Sequence, residues 1–324
     1  MSNQKYPLIS VVMLNYNGIK YLKRTIPPIL KLNYPHYEFI IVDNGSTDGS
    51  IDFIKKHKKI ILIQSPRIRE KNFACNYAIN HAKGEYILLL DNDLEIKEVS
   101  LLYSLINLSK IKGKIGSYTL SFYNKNENKS PAYGGFLSFY FIKELTPLKL
   151  IEIEELNNSL VGFPHGAGVF IKKSVWQEIG GYDDHLKFGG DDNDLGIKLW
   201  LFGYENYLYS KSLQIHLGLP ERQDNKKYSL KWKEMLYAHL YTLVKDYSFF
   251  NMIITLGCYS ILAFFKSIKQ SIFRFHYGPF LAFFQGYYLF LKDLPYAIKK
   301  RKKIQSKRVI KEDIFLKIRP PKFK

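Results

Sequence analysis

The sequence predicts an α/β fold: a doubly wound, mostly parallel sheet followed by a helical region suited to a membrane surface. Three observations predict it. Strand-like apolar runs alternate with helix-like segments up to Asp93. Polar residues able to do chemistry close three of those runs. Charge and aromatic content then change near residue 225.

The elements follow in order. Leu8–Leu14 is a β-branched strand that stops at the turn Asn15-Tyr16-Asn17-Gly18. Tyr21, Leu22, Ile26, Ile29 and Leu30 recur at helical spacing, with Pro27 and Pro28 inside the pattern predicting a late start or a kink. Phe39–Val42 is a second strand ending at Asp43, and Ser46 or Thr47 is the expected N-cap of the next helix. Ile60–Ile63 is a third strand, Asn72–Ala82 a helix and Tyr86–Leu90 a fourth strand. Val99–Ile111 reads as a helix and residues 112–135 as loops and short strands. Leu156–Pro164 reads as an acceptor-side loop, Gly166–Ile171 as a strand and Lys173–Ile179 as a short helix.

Asp91-Asn92-Asp93 closes the fourth strand. Asp and Asn also make ordinary turns, so the triplet alone has two readings. Ligands of open α/β sheets bind beyond the carboxyl ends of the strands, where two neighbouring carboxylates need a cation. A hard divalent ion, Mn²⁺ or Mg²⁺, bound to phosphate meets that need. Asn15, Asp43, Asp91 and Asp93 all fall at this edge. Downstream, Gly189-Gly190-Asp191-Asp192-Asn193-Asp194 opens a helix whose positive end tolerates the carboxylates. Asp192 or Asp194 can cap that helix, or a carboxylate there can serve as general base. His216 ends another strand-like run, and His165 either lines the acceptor side or packs in the core.

Several classes are excluded. No Gly-x-Gly-x-x-Gly follows the first strand and no Gly-Lys-Ser/Thr phosphate loop occurs. No Ser-His-Asp or Cys-His grouping supplies a nucleophile. Cys75 and Cys258 fit no zinc or redox spacing and read as small buried hydrophobes of a reducing compartment. Residues 1–10 hold no apolar signal-peptide core.

From Lys226 to Lys324 there are 21 Lys and Arg against 5 Asp and Glu, a net of +16 out of +19 for the chain. Phe249–Phe265 and Gly278–Leu291 are apolar, aromatic stretches flanked by Lys266, Lys269, Arg274 and Lys299–Lys303. Interfacial helices on anionic lipid, a span or re-entrant hairpin, and a helical cap are the three readings. No nucleic-acid-reading motif accompanies the basic run, so nucleic acid is not an expected partner.

Taken together, Val11–Gly18 (VVMLNYNG), Ile40–Asp48 (IIVDNGSTD), Ala82–Asp93 (AKGEYILLLDND), Gly180–Asp183 and Phe188–Leu195 (FGGDDNDL) resemble the inverting glycosyltransferases of family 2, with a GT-A nucleotide-sugar fold. The resemblance covers a catalytic domain within 1–225; the charge and aromatic step makes 226–324 a separate region, expected to be membrane-interfacial, and the resemblance also favours membrane attachment. It implies that Asn15, Tyr16, Asp43, Asn76, Asp91 and Asn92 serve the nucleotide-sugar. Asp93 and His216 would serve the metal, with Asp192 as base. Asp191 stands where the family has Glu, one methylene longer. Arg67, Arg69 or Lys71 either reaches the diphosphate or belongs to a solvated basic loop. The expected partners are a UDP-sugar, a lipid-linked or envelope glycan acceptor and an anionic membrane, at the cytoplasmic face. The alternative is a non-catalytic glycan- or lipid-binding protein on the same fold.

Overall fold

A computed structural model of the chain describes residues 6–110, 113–124, 134–138, 156–187, 189–218 and 224–319. Phe188, Ile111 and residues 125–133, all included in the sequence reading, lie outside the described residues. The chain opens β1 (Ile9–Asn15), α1 (Ile19–Leu30), β2 (Tyr37–Asp43), α2 (Ser50–Lys55), β3 (Ile60–Gln64), α3 (Lys71–His81) and β4 (Tyr86–Asp91). It continues with β5 (Leu94–Glu95), α4 (Leu101–Ser109), β6 (Ile115–Asn124), β7 (Gly168–Lys172), α5 (Lys173–Ile179), α6 (Asp191–Leu201) and β8 (Glu205–His216). Three long helices follow: α7 (Asn225–Asp246), α8 (Phe249–Phe273) and α9 (Gly278–Lys307).

The sheet runs in the order β3-β2-β1-β4-β7-β6-β8-β5. The first four strands are parallel. β7 then runs antiparallel between β4 and β6, β8 is parallel to β6, and β5 closes the far edge antiparallel to β8. The result is a mixed sheet, less uniformly parallel than the sequence suggests. Successive side chains alternate between its faces. In β1, Ile9, Val11 and Met13 join α1 and α4 on one face, while Val12 joins α3 on the other. Helices on both faces make the sheet doubly wound, and β1 and β4 flank the point where strand order reverses.

Four sequence expectations are corrected. α1 starts at once and runs through Pro27 and Pro28, because fully buried Leu22, Ile26 and Ile29 hold it to the sheet. α2 is preceded by Gly49 in a left-handed conformation, and neither Ser46 nor Thr47 caps it; Asp48 accepts from the Ser50 amide instead, at 3.0 Å. Within 112–135, Ile115–Asn124 is a ten-residue strand. Tyr118, Leu120 and Phe122 face the core there, and the interleaved Ser117, Thr119 and Ser121 are also fully buried. Finally, Cys258 is only half-buried, whereas Cys75 is in the core and burial pushes its thiol up to about 12.

The step at residue 225 coincides with the start of α7 but does not separate two cores. Leu236, Leu240 and Leu243 of α7 belong to the same apolar cluster as Leu195 and Leu199 of α6. Buried ions seal this junction. Asp194, wholly buried, meets Lys198 at 2.8 Å and also pairs with Lys245 of α7. Lys245 reaches Asp183 at 3.0 Å.

Candidate active site

β1, β2 and β4 deliver their last residues to one edge, where the turns are laced together. The Asn15 amide donates to Asp43 Oδ2 at 2.8 Å and to Ser46 Oγ at 3.1 Å. It accepts from Asn92 Nδ2 at 2.8 Å. Asp43 Oδ1 accepts the Gly45 and Ser46 amides, so this buried carboxylate fixes the turn after β2. Tyr16 stays exposed, with the Arg69 guanidinium 5.7 Å from its ring centre. Asn15, Tyr16, Asp43, Asn92 and Arg69 therefore form one wall: a polar, prearranged floor with an aromatic and cationic lip.

Beside this wall lies a cleft of ≈ 500 Å³ whose lining includes Lys71, Asp91, His165, Asp191, Asp192 and, from α7, His239. Gly189 and Gly190, at φ 74 and 76, turn the chain sharply into α6. That turn sets Asp191 and Asp192 on the first turn of the helix, where the helix dipole favours their charge. Lys71 Nζ stands 3.1 Å from Asp191 Oδ2 and 4.0 Å from Asp91 Oδ1. Burial works against the Lys71 charge, but Asp191, Asp91 and Asp192 hold its pKa well above the usual value. Burial pushes Asp91 up to about 6, Lys71 pulling it down and the neighbouring carboxylates pushing it up. Asp192 Oδ1 is buried with no hydrogen-bond partner. It lies over Gly166: a Cβ at that residue would sit 2.3 Å from it.

Asp93 and His216 meet where β5 pairs with the end of β8. His216 Nε2 is 3.4 Å from Asp93 Oδ1, and the imidazole stacks on Phe122 at 5.2 Å. A Cβ on Gly218 would come within 2.3 Å of Asp93 Oδ2, so the backbone closes tightly on this pair. Among the described residues no three His, Cys, Asp or Glu side chains gather as a metal cluster. A carboxylate and an imidazole side by side are nevertheless the donor pair that would hold a divalent ion here.

The structure thus brings ten of the eleven expected site residues to this edge, counting Asp91, Asp93, Asp191, Asp192 and His216 with the wall. It does not bring Asn76, whose amide is spent on the Tyr182 main chain at 2.9 and 3.1 Å. Asn76 lines a separate groove with Phe73 and Trp176. His165 lines the cleft, its Nδ1 accepting from the Ala167 amide at 3.2 Å. Leu156–Pro164 is not a free loop: Leu160 bridges to Tyr207, and Val161 and Phe163 are buried. Sequence reasoning missed Gly166 as the seat of Asp192 and undervalued Lys71 as the link between β4 and α6. The small-residue start of β7 was a signal for the first. Nothing local signalled the second.

Comparison with known proteins gives the family and the fold. Residues 10–179 match the family model described as Glycosyl transferase family 2. Glycosyltransferase GlyG of Streptococcus pneumoniae is 31% identical over 186 residues, 53% of this chain and 59% of that protein. Poly-beta-1,6-N-acetyl-D-glucosamine synthase of Staphylococcus epidermidis is 29% identical over 209 residues, 63% of this chain and 48% of that protein. The match covers 31% of the length of an uncharacterized glycosyltransferase of Rickettsia bellii, so the chain spans less than two thirds of each of these curated relatives. Among solved structures, the Pyrobaculum calidifontis mannosyltransferase PcManGT with GDP-Man and Mn²⁺ superposes with TM-score 0.58 at 15% identity, covering 97% of this chain and 86% of that one. Staphylococcus aureus TarS 1-349 with UDP-GlcNAc gives 0.55 at 14% identity, covering 92% and 90%. These structural likenesses establish a GT-A fold, and with the family match over more than half its length the chain belongs to glycosyltransferase family 2.

Proposed function

We propose that the protein transfers a sugar, with inversion, from a nucleotide-diphosphate sugar to a hydroxyl of a lipid-linked or envelope glycan acceptor. UDP-sugar is the favoured donor, and the enzyme works peripherally at the cytoplasmic face of a membrane. The observation that carries the reading is the cleft itself. An acceptor-only oxygen, Asp192 Oδ1, waits there without a partner, near the end of the strand that leads to Asp91 and Asp93. The solved GT-A structures with UDP-GlcNAc or GDP-Man support a nucleotide-sugar donor, and those with Mn²⁺ support a divalent ion.

In this mechanism Asn15, Tyr16, Asp43, Asn92 and Arg69 hold the nucleotide. Asp93 and His216 would hold a divalent ion, and when bound it would supply positive charge to neutralise the diphosphate leaving group. Asp192 takes the proton of the acceptor hydroxyl as that oxygen attacks the anomeric carbon from the face opposite the diphosphate. The oxocarbenium-like transition state gains from the adjacent carboxylates. Lys71 bridges Asp191 and Asp91 across the cleft in the absence of donor. Asp191 supports the acceptor or the sugar from the position next to the base.

Asp192→Asn tests the assignment. Transfer should fall by roughly 10²–10⁴-fold, the usual worth of a general base, while nucleotide-dependent stabilisation of the fold is retained. Transfer at the wild-type rate would remove Asp192 from the mechanism.

A further inference from the structure

We propose that α8 and α9 form a hairpin that docks in the plane of an anionic lipid surface, with α8 lying along the headgroup–acyl boundary instead of crossing it. This deepens the peripheral-membrane part of the functional reading and rests on it. By length and apolar composition α8 could cross a membrane. Its packing argues otherwise. Thr255, Tyr259, Ala263 and Ser267, spaced four apart, are all buried. They make a seam against the protein: the Tyr259 hydroxyl meets His239 Nδ1 of α7 at 2.9 Å, and Phe264 packs on Phe283 of α9 at 5.4 Å. A span would have to surrender this seam.

The opposite stripe of α8 faces outward. Phe250, Ile254, Ile261, Phe265 and Ile272 are 52–79% exposed, at spacings of four and seven. α9 adds Leu281, Phe284, Tyr288 and Leu291, 45–68% exposed at spacings of three and four. At the end of α8 and just beyond it, Phe273 and Phe275 project at 79% and 97% exposure. The ring chain Phe264–Phe280–Phe284, at 6.1 and 5.1 Å, joins the two stripes. Scattered exposed apolar residues are normal, but a continuous aromatic face of this kind marks an interaction site.

Charge selects the occupant. Lys266, Lys269, Arg274 and Lys292 flank the apolar stripes, within a segment of net +16 from 226 to 324. Two copies of such a face repel each other, whereas anionic headgroups attract it. The basic end of α9 is clamped to the protein. Arg301 donates to the Val244 and Tyr247 carbonyls at 2.7 Å each, and Gln305 to the Asp246 carbonyl at 2.8 Å. α7, which carries the hairpin, also lines the cleft through Lys231, Met235 and His239. Docking in this way holds the cleft one helix away from the lipid, a geometry suited to an acceptor that is itself lipid-linked.

The test is a depth profile. Phe250→Cys, Ile261→Cys and Ile272→Cys, each in a Cys258→Ser background, are labelled with an environment-sensitive fluorophore and added to vesicles of phosphatidylcholine with or without phosphatidylglycerol. Phe250 and Ile272 are roughly 33 Å apart along the helix, about the thickness of the hydrocarbon core. In-plane docking predicts binding to the anionic vesicles alone, weakened by salt, with all three probes quenched equally by a shallow lipid nitroxide. Deep quenching at position 261 with shallow quenching at the ends would show a span and overturn the proposal. So would failure to bind vesicles combined with concentration-dependent dimerisation. The triple variant Phe250→Ser, Phe265→Ser, Phe284→Ser should lose vesicle binding but keep its melting temperature and its response to nucleotide. Loss of the nucleotide response in the unaltered chain would instead strike at the functional reading.

Discussion

Asp192, the proposed base, shows how much of a site residue is made by its neighbours. Asp191, Asp192 and Asp194 share one short run, so the run alone leaves the carboxylate open, and the family resemblance points to Asp192. The structure separates them by partner. Asp194 is consumed by two buried lysines and Asp191 by Lys71, and of the three only Asp192 has a buried oxygen with neither a hydrogen bond nor an ion-pair partner among the described residues. Gly166 makes that position possible, since any side chain there collides with the carboxylate. Gly166→Ala should therefore leave the protein folded and lower kcat by roughly a hundredfold, the scale of an ångström-sized misplacement. Steady-state kinetics and a melting curve check both parts. An unchanged kcat would mean that Asp192 is not held where the mechanism needs it.

At the scale of elements, α6 carries the proposed base and is riveted from behind. Asp183 and Asp194 are ionised in the fold, the Lys245 and Lys198 ammonium groups holding both carboxyls below the usual range against the cost of burial. Burial drives Asp246 the other way, well above the usual value, and its proximity to Asp194 adds to the rise. Two buried lysines, two carboxylates and one neutral acid leave the interior uncharged. The signs of the pH dependence follow from linkage. Asp183 and Asp194 contribute stability that is present above the unfolded carboxylate value near ~3.9 and is lost as pH falls below it. Asp246, protonated in the fold, contributes stability that is present below that value and lost as pH rises, by about 1.4 kcal/mol per unit. Asp246→Asn should remove the second dependence alone. Its stability relative to the parent should be higher at pH 7 than at pH 4, as read by denaturant titration at both values. A relative stability that does not change with pH would contradict the neutral acid.

For the whole molecule, the catalytic sheet and the C-terminal helices share one core, although their compositions differ sharply. Truncation after residue 225 should give insoluble protein. It bares Leu195 and Leu199 and leaves Asp194 with one of its two cations; breaking such a buried pair typically costs 3–5 kcal/mol. A soluble fragment 1–225 with a cooperative melt would show that this part of the chain folds by itself. The same contrast explains what could be read from the chain. β1 to β4 were legible because each is an apolar run closed by a polar turn. The pocket wall was legible because Asn15, Asp43 and Asp91 close three of those runs at one edge. β6 was not, since Ser117, Thr119 and Ser121 make its buried face look like a loop; the Ser117 hydroxyl in fact bonds Asn206 at 2.8 Å. The Asp194–Lys245 pair was not legible either, as its partners are 51 residues apart. Asn76 matched the family pattern, yet the Gly181-Tyr182 turn, distant in sequence, occupies its amide.

The central claim is a metal-dependent nucleotide-sugar site at the ends of β1, β2 and β4. The most direct test is the melting temperature of the purified protein with UDP, GDP, dTDP or CMP, each with and without Mn²⁺. One nucleotide, with UDP expected, should stabilise the fold only when Mn²⁺ is present, by about 2.7 kcal/mol at a hundred times its Kd. Asp93→Ala should erase the metal requirement together with the shift. Stabilisation by no nucleotide, or an equal shift with and without metal, would contradict the account.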